Sequence, residues 1–529
     1  MSRTEVRWVA VASLAVLLFA SLPTLYAWSL ADADHVFTGF VYNVEDGNSY
    51  LAKMRLGARG EWRFHLVYTP EEHTGAWLLL FHLLLGRLAA WSGVSLILVY
   101  HLARVVLGLV LLWTIYAFAA YFTPDVTVRR LAWALAAVGS GLGWLFTLLG
   151  ATPWLGDLPL DFWVPEAYVF LVLYNLPHLA LAEALLLATF LFAHQALAGR
   201  GIRYSLLAGL ALWVAAWIVP FYAGIPAAVL GAYLVILACR RRRVPWKEIG
   251  LTAGIGLLAS PSVIYNAWVF TTNPAFRLWA EQNQILSPHP LHYLAGYALL
   301  LIPAVGGAIP LFRQKDDRWW LPVTWVLVVP CLLYLPFNLQ RRMISVVQVP
   351  LALLAATGLE RWLQRVSAPG RRWLRGAFVG VLSLSNVLLV IGSLGFIRER
   401  TAPIYRPGAE IAALTWLASH SQADETVLAS PAVGNVIPAW TDLRAFIGHG
   451  PETLHYAAKQ EMVRRFFDPA TDDSWRQEIL REYGVDYLFV GPQERELGDW
   501  SPESASFLLP IYSRAAYTVY RVLPEASQP

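Results

Sequence analysis

The stretch GFVYNVEDGNSYLAKMRLGARGEW, residues 39–62, places several charged side chains directly after an apolar segment. That segment, residues 8–30, has no charged side chain over 23 residues, and about 20 apolar residues are enough to cross a bilayer. Its end, SLPTLYAW, lacks the small-residue pattern of a signal-peptide cleavage site. The sequence therefore predicts an uncleaved first membrane span followed by a polar outer loop.

The composition indicates a protein that crosses the membrane several times. Of the 529 residues, 57% are apolar and only 14% are charged, and the mean hydropathy is +0.49. Soluble domains carry about one quarter charged residues. The two cysteines, Cys239 and Cys331, both lie at or within apolar runs, which argues against a disulfide scaffold and against cysteine-ligated metals. We expect the lipid bilayer as a partner and no nucleic acid.

Hydropathy predicts about eleven transmembrane helices, so the predicted fold class is a polytopic α-helical membrane protein with a small C-terminal α/β domain. Segment 74–91, TGAWLLLFHLLLGRLAAW, is interpreted as a helix in the outer interface, because counting it as a span would place Arg129 and Arg130 outside. The predicted spans are roughly 8–30, 95–121, 131–150, 177–198, 204–222, 224–239, 248–268, 291–312, 319–336, 343–362 and 376–396.

Basic residues set the predicted orientation. With this arrangement, 19 of the 28 basic residues before residue 398 fall in six inner segments, as the positive-inside rule requires. The N-terminus is then cytoplasmic and the C-terminal tail lies outside, and we expect the cytoplasmic membrane of a prokaryote. The inner segments contain Arg3 and Arg7, Arg129 and Arg130, Arg200 and Arg203, Arg240 to Arg243 with Lys247, Arg313, Lys315 and Arg318, and five arginines from Arg361 to Arg375.

The charge distribution predicts two domains, 1–397 in the membrane and 398–529 outside it. Residues 398–529 carry a net charge of −6, whereas residues 1–397 carry +10. In the tail, strand patterns such as TVLAS and VDYLFVGP alternate with helical patterns such as PGAEIAALTWLASH, which favours a small doubly wound sheet. YTVYRVL is interpreted as a late edge strand, and Gly484 as a helix C-cap. FIGHGPE is only a weak match to a phosphate-binding loop, so no nucleotide site is predicted.

The first loop contains the main candidate site. If EDGNSYLAKM is a short helix, Asp46, Tyr50 and Lys53 lie on one side of it and Glu45 points elsewhere. Tyr50 and Lys53 are then expected to line a polar substrate-binding pocket next to Asp46. A carboxylate near an apolar boundary can act as a general base. The structural alternative is that both carboxylates only stabilise the helix N-terminus, where the dipole favours negative charge.

Further outer segments add polar candidates, each with an ordinary structural alternative. Arginine binds phosphate through two parallel hydrogen bonds, but a long side chain at a span end can also simply extend to the interface. The acidic and histidine residues can bind substrate, or they can be solvated loop residues and satisfied interfacial side chains. Two intramembrane residues, Arg104 and Glu183, are functional candidates by their costly placement, or they pair with a neighbouring span. The outer candidates are Glu71, Glu72, Glu166, His178, His289, Arg341 and Arg342.

These features together resemble the GT-C glycosyltransferases, integral membrane enzymes that use lipid-phosphate-linked sugars. The similarity lies in an acidic residue in the first outer loop, interfacial helices in that loop, many spans and an outer C-terminal α/β domain. It is carried mainly by GFVYNVEDGNSYLAKM and by the segment from QRR into the following span. The chain looks most like the members related to protein O-mannosyltransferases, aminoarabinose transferase and the oligosaccharyltransferase catalytic subunit.

The resemblance implies roles for individual residues. It makes Asp46 the catalytic base or a metal-linked acid, with Glu45 completing an acidic pair, and Glu166 the second outer acidic site. It makes Arg341 or Arg342 the residue that binds the lipid phosphate. The partner implied is a polyprenyl-phosphate-linked sugar donor.

Two departures from the family pattern limit what is implied. No cofactor is certain and a divalent metal is left open, because DAD at 32–34 is the one D-x-D match and it lies at the membrane exit. The tail has no WWDYG-like motif, and the corresponding stretch reads ASPAVGNVIPAWTD. This difference argues against transfer to Asn-x-Ser/Thr sequons.

The sequence thus predicts an inverting membrane glycosyltransferase that moves a sugar to an unidentified glycan, lipid or protein acceptor on the extracytoplasmic side. One alternative is a transporter or lipid flippase, although the spans show no inverted repeat and the polar residues gather at one face rather than at the midplane. A second alternative is a non-catalytic subunit of a cell-envelope glycan assembly complex.

Overall fold

The computed structural model describes residues 1–313 and 316–524, and most of these residues are helical. Within them, seven helices are long and apolar enough to cross a membrane, or eight if the bent pair Ala368–Leu382 and Leu384–Glu399, which meet at 46°, counts as one span. The architecture of a multi-pass helical membrane protein is confirmed. The seven helices are Arg3–Leu30, Leu96–Phe122, Pro177–Arg200, Pro220–Arg241, Trp246–Thr272, Pro290–Leu311 and Gln340–Leu363.

Three of the eleven predicted spans contain shorter helices. Segment 204–222 contains Ile202–Ile218, and segment 319–336 contains Trp320–Leu332, whose 13 residues extend over about 20 Å at a rise of 1.5 Å per residue. The first of these ends at Ile218, directly before Val219 and Pro220, and a residue before proline is disfavoured in helical conformation.

The third, segment 131–150, is broken into the helices Val126–Val138 and Gly143–Leu148. Gly139 has extended backbone (φ −68°, ψ 137°) and ends the first helix. The buried carboxylate of Asp161 accepts hydrogen bonds from the amides of Gly141 and Gly143, at 2.9 and 3.1 Å. The chain can therefore leave the helix without stranding these N–H groups in an apolar environment.

The chain forms two compact units. The first unit consists of residues 1–22, 101–268 and 284–393, and the second of residues 23–100, 269–283 and 394–529. Lys315, one of the basic residues that set the predicted orientation, lies outside the described residues. In the first unit the remaining short helices are Leu160–Phe162, Pro165–Ala167, Val169–Asn175, Ile309–Arg313 and Asp317–Trp319.

The second unit contains a five-stranded mixed sheet. Strand Thr426–Leu428 pairs in parallel with Arg444–Ala445 on one side and with Val485–Val490 on the other. Two antiparallel strands, Tyr517–Val522 and then Leu508–Arg514, extend the sheet beyond Val485–Val490. The predicted doubly wound arrangement therefore holds for three parallel strands, and an antiparallel pair completes the sheet.

The prediction that YTVYRVL is an edge strand is wrong. Tyr517–Val522 pairs on both sides, and its first four residues are buried. The edge is Leu508–Arg514, whose sequence LLPIYSR reads poorly as a strand because of Pro510. Proline lacks an N–H group, and an edge strand tolerates this loss because one side of it has no ladder partner.

A second, two-stranded sheet connects the first loop with the start of the tail. His35–Phe37 pairs antiparallel with Tyr405–Pro407, so that Val36 lies opposite Arg406. The predicted C-cap, Gly484, has positive φ (56°), as the end of the preceding helix requires. The helices of the second unit are Val44–Ala58, Leu80–Ser92, Pro274–Gln282, Gly408–His420, Pro431–Gly434, Ile437–Trp440, Gly450–Glu452, Tyr456–Phe467, Asp473–Glu482, Pro492–Arg495 and Pro502–Ser504.

The segment predicted to lie in the outer interface forms the helix Leu80–Ser92. Its 13 residues extend over about 20 Å, which is less than the roughly 30 Å of a bilayer's hydrocarbon core. This length agrees with leaving the segment out of the predicted spans.

Candidate functional site

The predicted helix in the first loop is present as Val44–Ala58, hereafter the first-loop helix. It begins after Asn43, which has left-handed backbone (φ 48°), and its first turn contains Glu45 and Asp46. Carboxylates in that position are stabilised by the helix dipole. Glu45 is exposed, whereas the side chain of Asp46 is 42% exposed and faces a residue of the tail.

That tail residue is His449. Its Nε2 lies 3.0 Å from Oδ1 of Asp46, and its side chain is 8% exposed. An ionised carboxylate can only accept, so this nitrogen carries the proton and donates to Asp46. The other ring nitrogen, Nδ1, lies 3.5 Å from Oε1 of Glu452. His449 therefore stands between two carboxylates.

Beneath His449, Glu452 forms a buried ion pair with the first-loop helix. Nζ of Lys53 lies 2.5 Å from Oε1 of Glu452, and Oγ of Ser49 donates to the same oxygen at 2.7 Å. Burial raises the pKa of the Glu452 carboxyl, but the attraction of Lys53 and His449 outweighs it and leaves this pKa below its ordinary value.

Two glycines allow the backbone close to this pair to pack tightly. A Cβ at Gly47, next to Asp46, would lie 2.3 Å from the ring of Phe40, and a Cβ at Gly448, next to His449, would lie 2.6 Å from the ring of Tyr68. Neither ring could stay where it is if a larger residue replaced the glycine. Because Gly47 and Gly448 have no side chains, the segments that carry Asp46 and His449 can pack closely enough for these two residues to meet.

Tyr50 and Lys53, predicted to line a polar pocket with Asp46, have aromatic and ionic neighbours. The ring of Tyr50 stacks on His82 with centroids 4.8 Å apart, and Tyr100 lies 6.0 Å away on a nearly parallel plane. Nζ of Lys53 lies 5.5 Å from the Tyr50 ring, in addition to its bond to Glu452. Substrate contact by Tyr50 and Lys53 stays a prediction.

Glu71 joins the first loop to the tail. Its Oε2 accepts from Nζ of Lys459 at 2.6 Å, and the hydroxyl of Thr69 donates to the same oxygen. Burial lowers the pKa of Lys459 to about 8, although Glu71 opposes this shift. Glu72 is exposed. The position of Glu71 accounts for a structural role, and substrate binding by either residue stays a prediction.

In the first unit, Glu166 and the two arginines are close together. Oε1 of the buried Glu166 lies 3.2 Å from Nε of Arg342. Arg341 instead lies over the ring of Trp163, with its guanidinium carbon 4.2 Å from the centroid, and has no ion pair to a carboxylate among the described residues. Arg342 is thus paired directly with Glu166, whereas Arg341 packs on an aromatic face and feels the charge of Glu166 only at a longer range.

The two intramembrane candidates of the first unit differ in whether their polar atoms have hydrogen-bond partners. Arg104 is buried, but its guanidinium donates to the carbonyl of Leu173 at 2.9 Å and to Oγ of Ser21 at 3.0 Å. Glu183 is 1% exposed, and neither of its carboxylate oxygens has a hydrogen-bond partner in the part of the chain that the structure describes. Arg104 therefore has a structural explanation and Glu183 has none.

Two histidines were predicted as substrate contacts at outer loops. His289 is exposed and caps the helix that follows it, because its Nδ1 accepts from the amide of Leu291 at 3.3 Å. His178 lies partly buried in the first turn of the helix that begins at Pro177. Substrate binding by either histidine stays a prediction.

His449 and Glu452 were not predicted as site residues, although both lie in the segment FIGHGPE. In the sequence, a histidine between two glycines, followed by Pro-Glu, indicates at most a weak phosphate-binding loop. The spacing of three residues that lets His449 and Glu452 interact is present in the sequence. What cannot be read there is that this loop packs on the first-loop helix.

A second polar cluster in this unit holds three residues that could ligate a metal. Ligand atoms of Glu61, His65 and Asp424 lie within 4.8 Å of one another. Arg59, however, donates to both carboxylates, with 2.8 Å between its Nη2 and Oδ1 of Asp424. Burial lowers the pKa of His65, but Asp424 and Glu61 outweigh it and raise the net value. Arg59 thus already bridges both carboxylates, and the cluster fits an ion-pair network better than a metal site.

Comparison with known proteins gives structural similarity only. No family model matches the chain, and no curated protein matches it. The arabinofuranosyltransferase AftD from Mycobacteria is 16% identical with a TM-score of 0.58, and the match covers 99% of this chain and 40% of that one. ArnT from Cupriavidus metallidurans bound to undecaprenyl phosphate is 12% identical with a TM-score of 0.53, over 100% of both chains. The Archaeoglobus fulgidus oligosaccharyltransferase, tethered with an acceptor peptide, is 12% identical with a TM-score of 0.50, over 90% of this chain and 69% of that one.

Proposed function

Because the chain has the GT-C fold shared by these three proteins, we propose that it is a membrane glycosyltransferase. In this proposal, it moves a sugar from a polyprenyl-phosphate-linked donor to an acceptor on the extracytoplasmic side, with inversion and with Asp46 as the base. The observation that carries the proposal is the position of Asp46 in the first turn of the first-loop helix, partly exposed and hydrogen-bonded by His449.

Asp46 is the better base of the acidic pair. A base must come within about 2.6–3.2 Å of the hydroxyl that it deprotonates, so both its reach and its orientation matter. One carboxylate oxygen of Asp46 is fixed by His449, while 42% of the side chain remains open to solvent. Glu45, the neighbouring residue, is exposed. A fixed but accessible carboxylate suits proton abstraction better than a freely solvated one.

The donor's phosphate is assigned to Arg341 rather than Arg342. ArnT, which has the same fold, was crystallised with undecaprenyl phosphate. A guanidinium can bind phosphate through two hydrogen bonds and stays charged near lipid. Arg342 lies 3.2 Å from Glu166, so phosphate would have to compete with a paired carboxylate there, whereas Arg341 lies over Trp163 and has no ion pair within 4 Å among the described residues. This difference supports Arg341 as the primary phosphate ligand.

The proposed reaction is a single displacement. The Asp46 carboxylate takes the proton of the acceptor hydroxyl. At the same time, the oxygen of that hydroxyl attacks the anomeric carbon of the donor sugar. The bond from that carbon to the lipid phosphate breaks, and the electron pair leaves on the phosphate oxygen, where an arginine stabilises the charge. Attack from the side opposite the leaving group inverts the anomeric configuration.

The sidedness is proposed from the basic residues. The arrangement that places 19 of 28 of them inside puts the N-terminus in the cytoplasm, and Asp46 and the tail outside. A lipid-linked donor and a soluble or envelope acceptor would then meet outside the cytoplasmic membrane of a prokaryote.

Transfer of a radiolabelled sugar tests the function directly. The full chain, purified in detergent, is incubated with a panel of polyprenyl-phosphate sugars and an envelope extract as acceptor. Transfer by the wild type that is lost in Asp46→Asn would support the proposal. Movement of a fluorescent lipid across vesicles without any transfer would instead indicate a flippase, and the absence of both would favour a non-catalytic subunit.

A further inference from the structure

We propose that His449, from the C-terminal tail, is a positioning residue for Asp46, and that Glu452 and Lys53 hold its imidazole in place. This inference rests on the proposed function, because it assigns His449 a role in the same reaction. It makes the tail a necessary part of the site that contains Asp46.

The geometry of the imidazole carries the argument. Its two nitrogens lie 3.0 Å from Oδ1 of Asp46 and 3.5 Å from Oε1 of Glu452. A ring that carries a proton on Nε2 donates to Asp46, while Nδ1 is buried next to Glu452 without forming a hydrogen bond within the described residues. Tyr68 also packs against the ring, with centroids 5.8 Å apart. The ring is therefore confined on three sides, and its Nε2 can donate to Asp46 in one orientation.

Glu452 is itself held rigidly. Its Oε1 accepts from Nζ of Lys53 at 2.5 Å and from Oγ of Ser49 at 2.7 Å, and both donors belong to the first-loop helix that also carries Asp46. A buried carboxylate with these partners resists reorientation. Asp46 and the support of its partner are thus built on one helix, and His449 bridges them.

The loop that carries His449 is also fixed by its backbone. The Gly448 amide donates to Oγ1 of Thr453 at 3.1 Å, and the Glu452 amide donates to the carbonyl of His449 at 3.1 Å. Nε2 of Gln282 donates to the carbonyl of Thr453 at 2.7 Å. The backbone position of His449 is therefore set independently of its contact with Asp46, as a positioning role requires.

The consequence for catalysis is orientation of the base. Hydrogen bonding at Oδ1 holds the plane of the Asp46 carboxylate, so that the group meets the acceptor hydroxyl in one geometry. A displacement of about 1 Å in a reacting group costs on the order of 10²-fold in rate. Loss of His449 should then lower kcat with little change in KM for the donor, because the donor is not bound by this pair.

The experiment compares three substitutions of His449 in the full chain. Gln places an amide N–H group near the position of Nε2, so it can still donate to Asp46. Asn places its amide near the position of Nδ1 and cannot reach Asp46. Ala removes both donors. We expect kcat to fall about 10²-fold in His449→Asn and His449→Ala and by about tenfold in His449→Gln. His455→Asn is the matched control, since His455 is exposed in the same segment and Asn tolerates its left-handed backbone (φ 57°).

Two further measurements separate positioning from a general structural effect. In an Asp46→Asn background, His449→Ala should cause no additional loss of the residual rate, because residues that act as a unit are not additive. Thermal unfolding of Asp46→Asn, His449→Ala and the double variant should give a coupling free energy between the two substitutions. The corresponding cycle with Glu45→Gln and His449→Ala should give none.

Each outcome decides between the two hypotheses. If the wild type transfers sugar and Asp46→Asn does not, but all three His449 variants keep wild-type kcat, the role of His449 is refuted and the proposed function stands. Positioning would likewise be refuted if kcat fell equally in the Gln, Asn and Ala variants and if His449→Ala lowered the residual rate of Asp46→Asn further. If the wild type transfers no sugar from any donor, the proposed function fails and this assignment fails with it.

Discussion

Nε2 of His449 lies 3.0 Å from Oδ1 of Asp46, although 403 residues separate the two in the chain. The contact joins the first turn of the first-loop helix to a loop that follows a short strand of the tail's sheet. Asp46 is recognisable in the sequence by its place after the first span, whereas His449 is recognisable only by its position in space.

Replacing Asp46 by Asn should abolish most of the transfer activity. The substitution keeps the size of the side chain and most of its hydrogen bonding but removes the base, so we expect kcat to fall by roughly 10²–10⁴-fold. The melting temperature should change little, because the side chain is 42% exposed. Initial rates of sugar transfer and thermal unfolding in detergent check both expectations.

Glu45→Gln is the matched control for that substitution and should keep most of the activity. Normal transfer by Asp46→Asn together with loss in Glu45→Gln would mean that the wrong carboxylate has been chosen. If neither substitution affects transfer, the pair only stabilises the helix N-terminus.

The two arginines should respond differently to replacement by Gln. Arg341→Gln should weaken binding of the donor, and Arg341→Lys should restore it only in part, because lysine lacks the bidentate fork. Arg342→Gln should mainly lower the melting temperature, because it leaves the buried Glu166 without its cation. Donor titration by intrinsic fluorescence and thermal unfolding give the two readouts. Unchanged donor affinity in both variants and in the double variant would assign these residues to anchoring at the interface.

Glu452→Gln should make the stability of the folded protein less sensitive to acid. The pKa of Glu452 is lowered in the folded protein, so this group adds stability above its unfolded pKa, and that stability is lost as the pH falls through its folded pKa. The variant should be less stable than the wild type at pH 7, where Lys53 loses its partner, and its melting temperature should fall less between pH 7 and pH 3. Glu478→Gln, at an exposed position, should keep the wild-type dependence.

Lys459→Met should remove a rise in stability at alkaline pH. The pKa of Lys459 is lowered to about 8 in the folded protein, so the unfolded chain binds more protons between pH 8 and the ordinary lysine value of about 10.4. Stability contributed by this group therefore increases as the pH rises through that range. We expect the melting temperature of the variant to lack this increase. An identical alkaline profile in wild type and variant would contradict the assigned pKa.

Cysteine labelling tests the proposed sidedness. In a background without Cys239 and Cys331, an impermeant maleimide should modify Arg63→Cys and Ser504→Cys in intact cells and leave Arg243→Cys protected until lysis. All three positions are exposed. Ser49 is unsuitable for this purpose because it is 1% exposed and bonded to Glu452. Protection of either outer position would reverse the assumed orientation of that segment.

Local patterns in the sequence predicted the helices well. Apolar length identified a helix in every predicted span, and the spacing in EDGNSYLAKM identified the first-loop helix, because helix formation depends on neighbouring residues. The predictions were weaker where a distant residue intervenes. Asp161 accepts from the amides where segment 131–150 breaks, and no local pattern reveals such a cap.

The sequence by itself determined the membrane class, most of the helices, the basic asymmetry and Asp46 as the leading candidate, because each depends on composition or on residues within a few turns. Tertiary structure alone decided that Leu508–Arg514 is the edge strand, that Lys53 and Glu452 are paired, and that His449 meets Asp46. Side chains hundreds of residues apart meet only after the backbone between them has packed. Their contact depends on how segments far apart in the chain pack together, for example on the space that Gly47 and Gly448 leave for the rings of Phe40 and Tyr68. The order of residues in the sequence does not show which distant segments pack against each other.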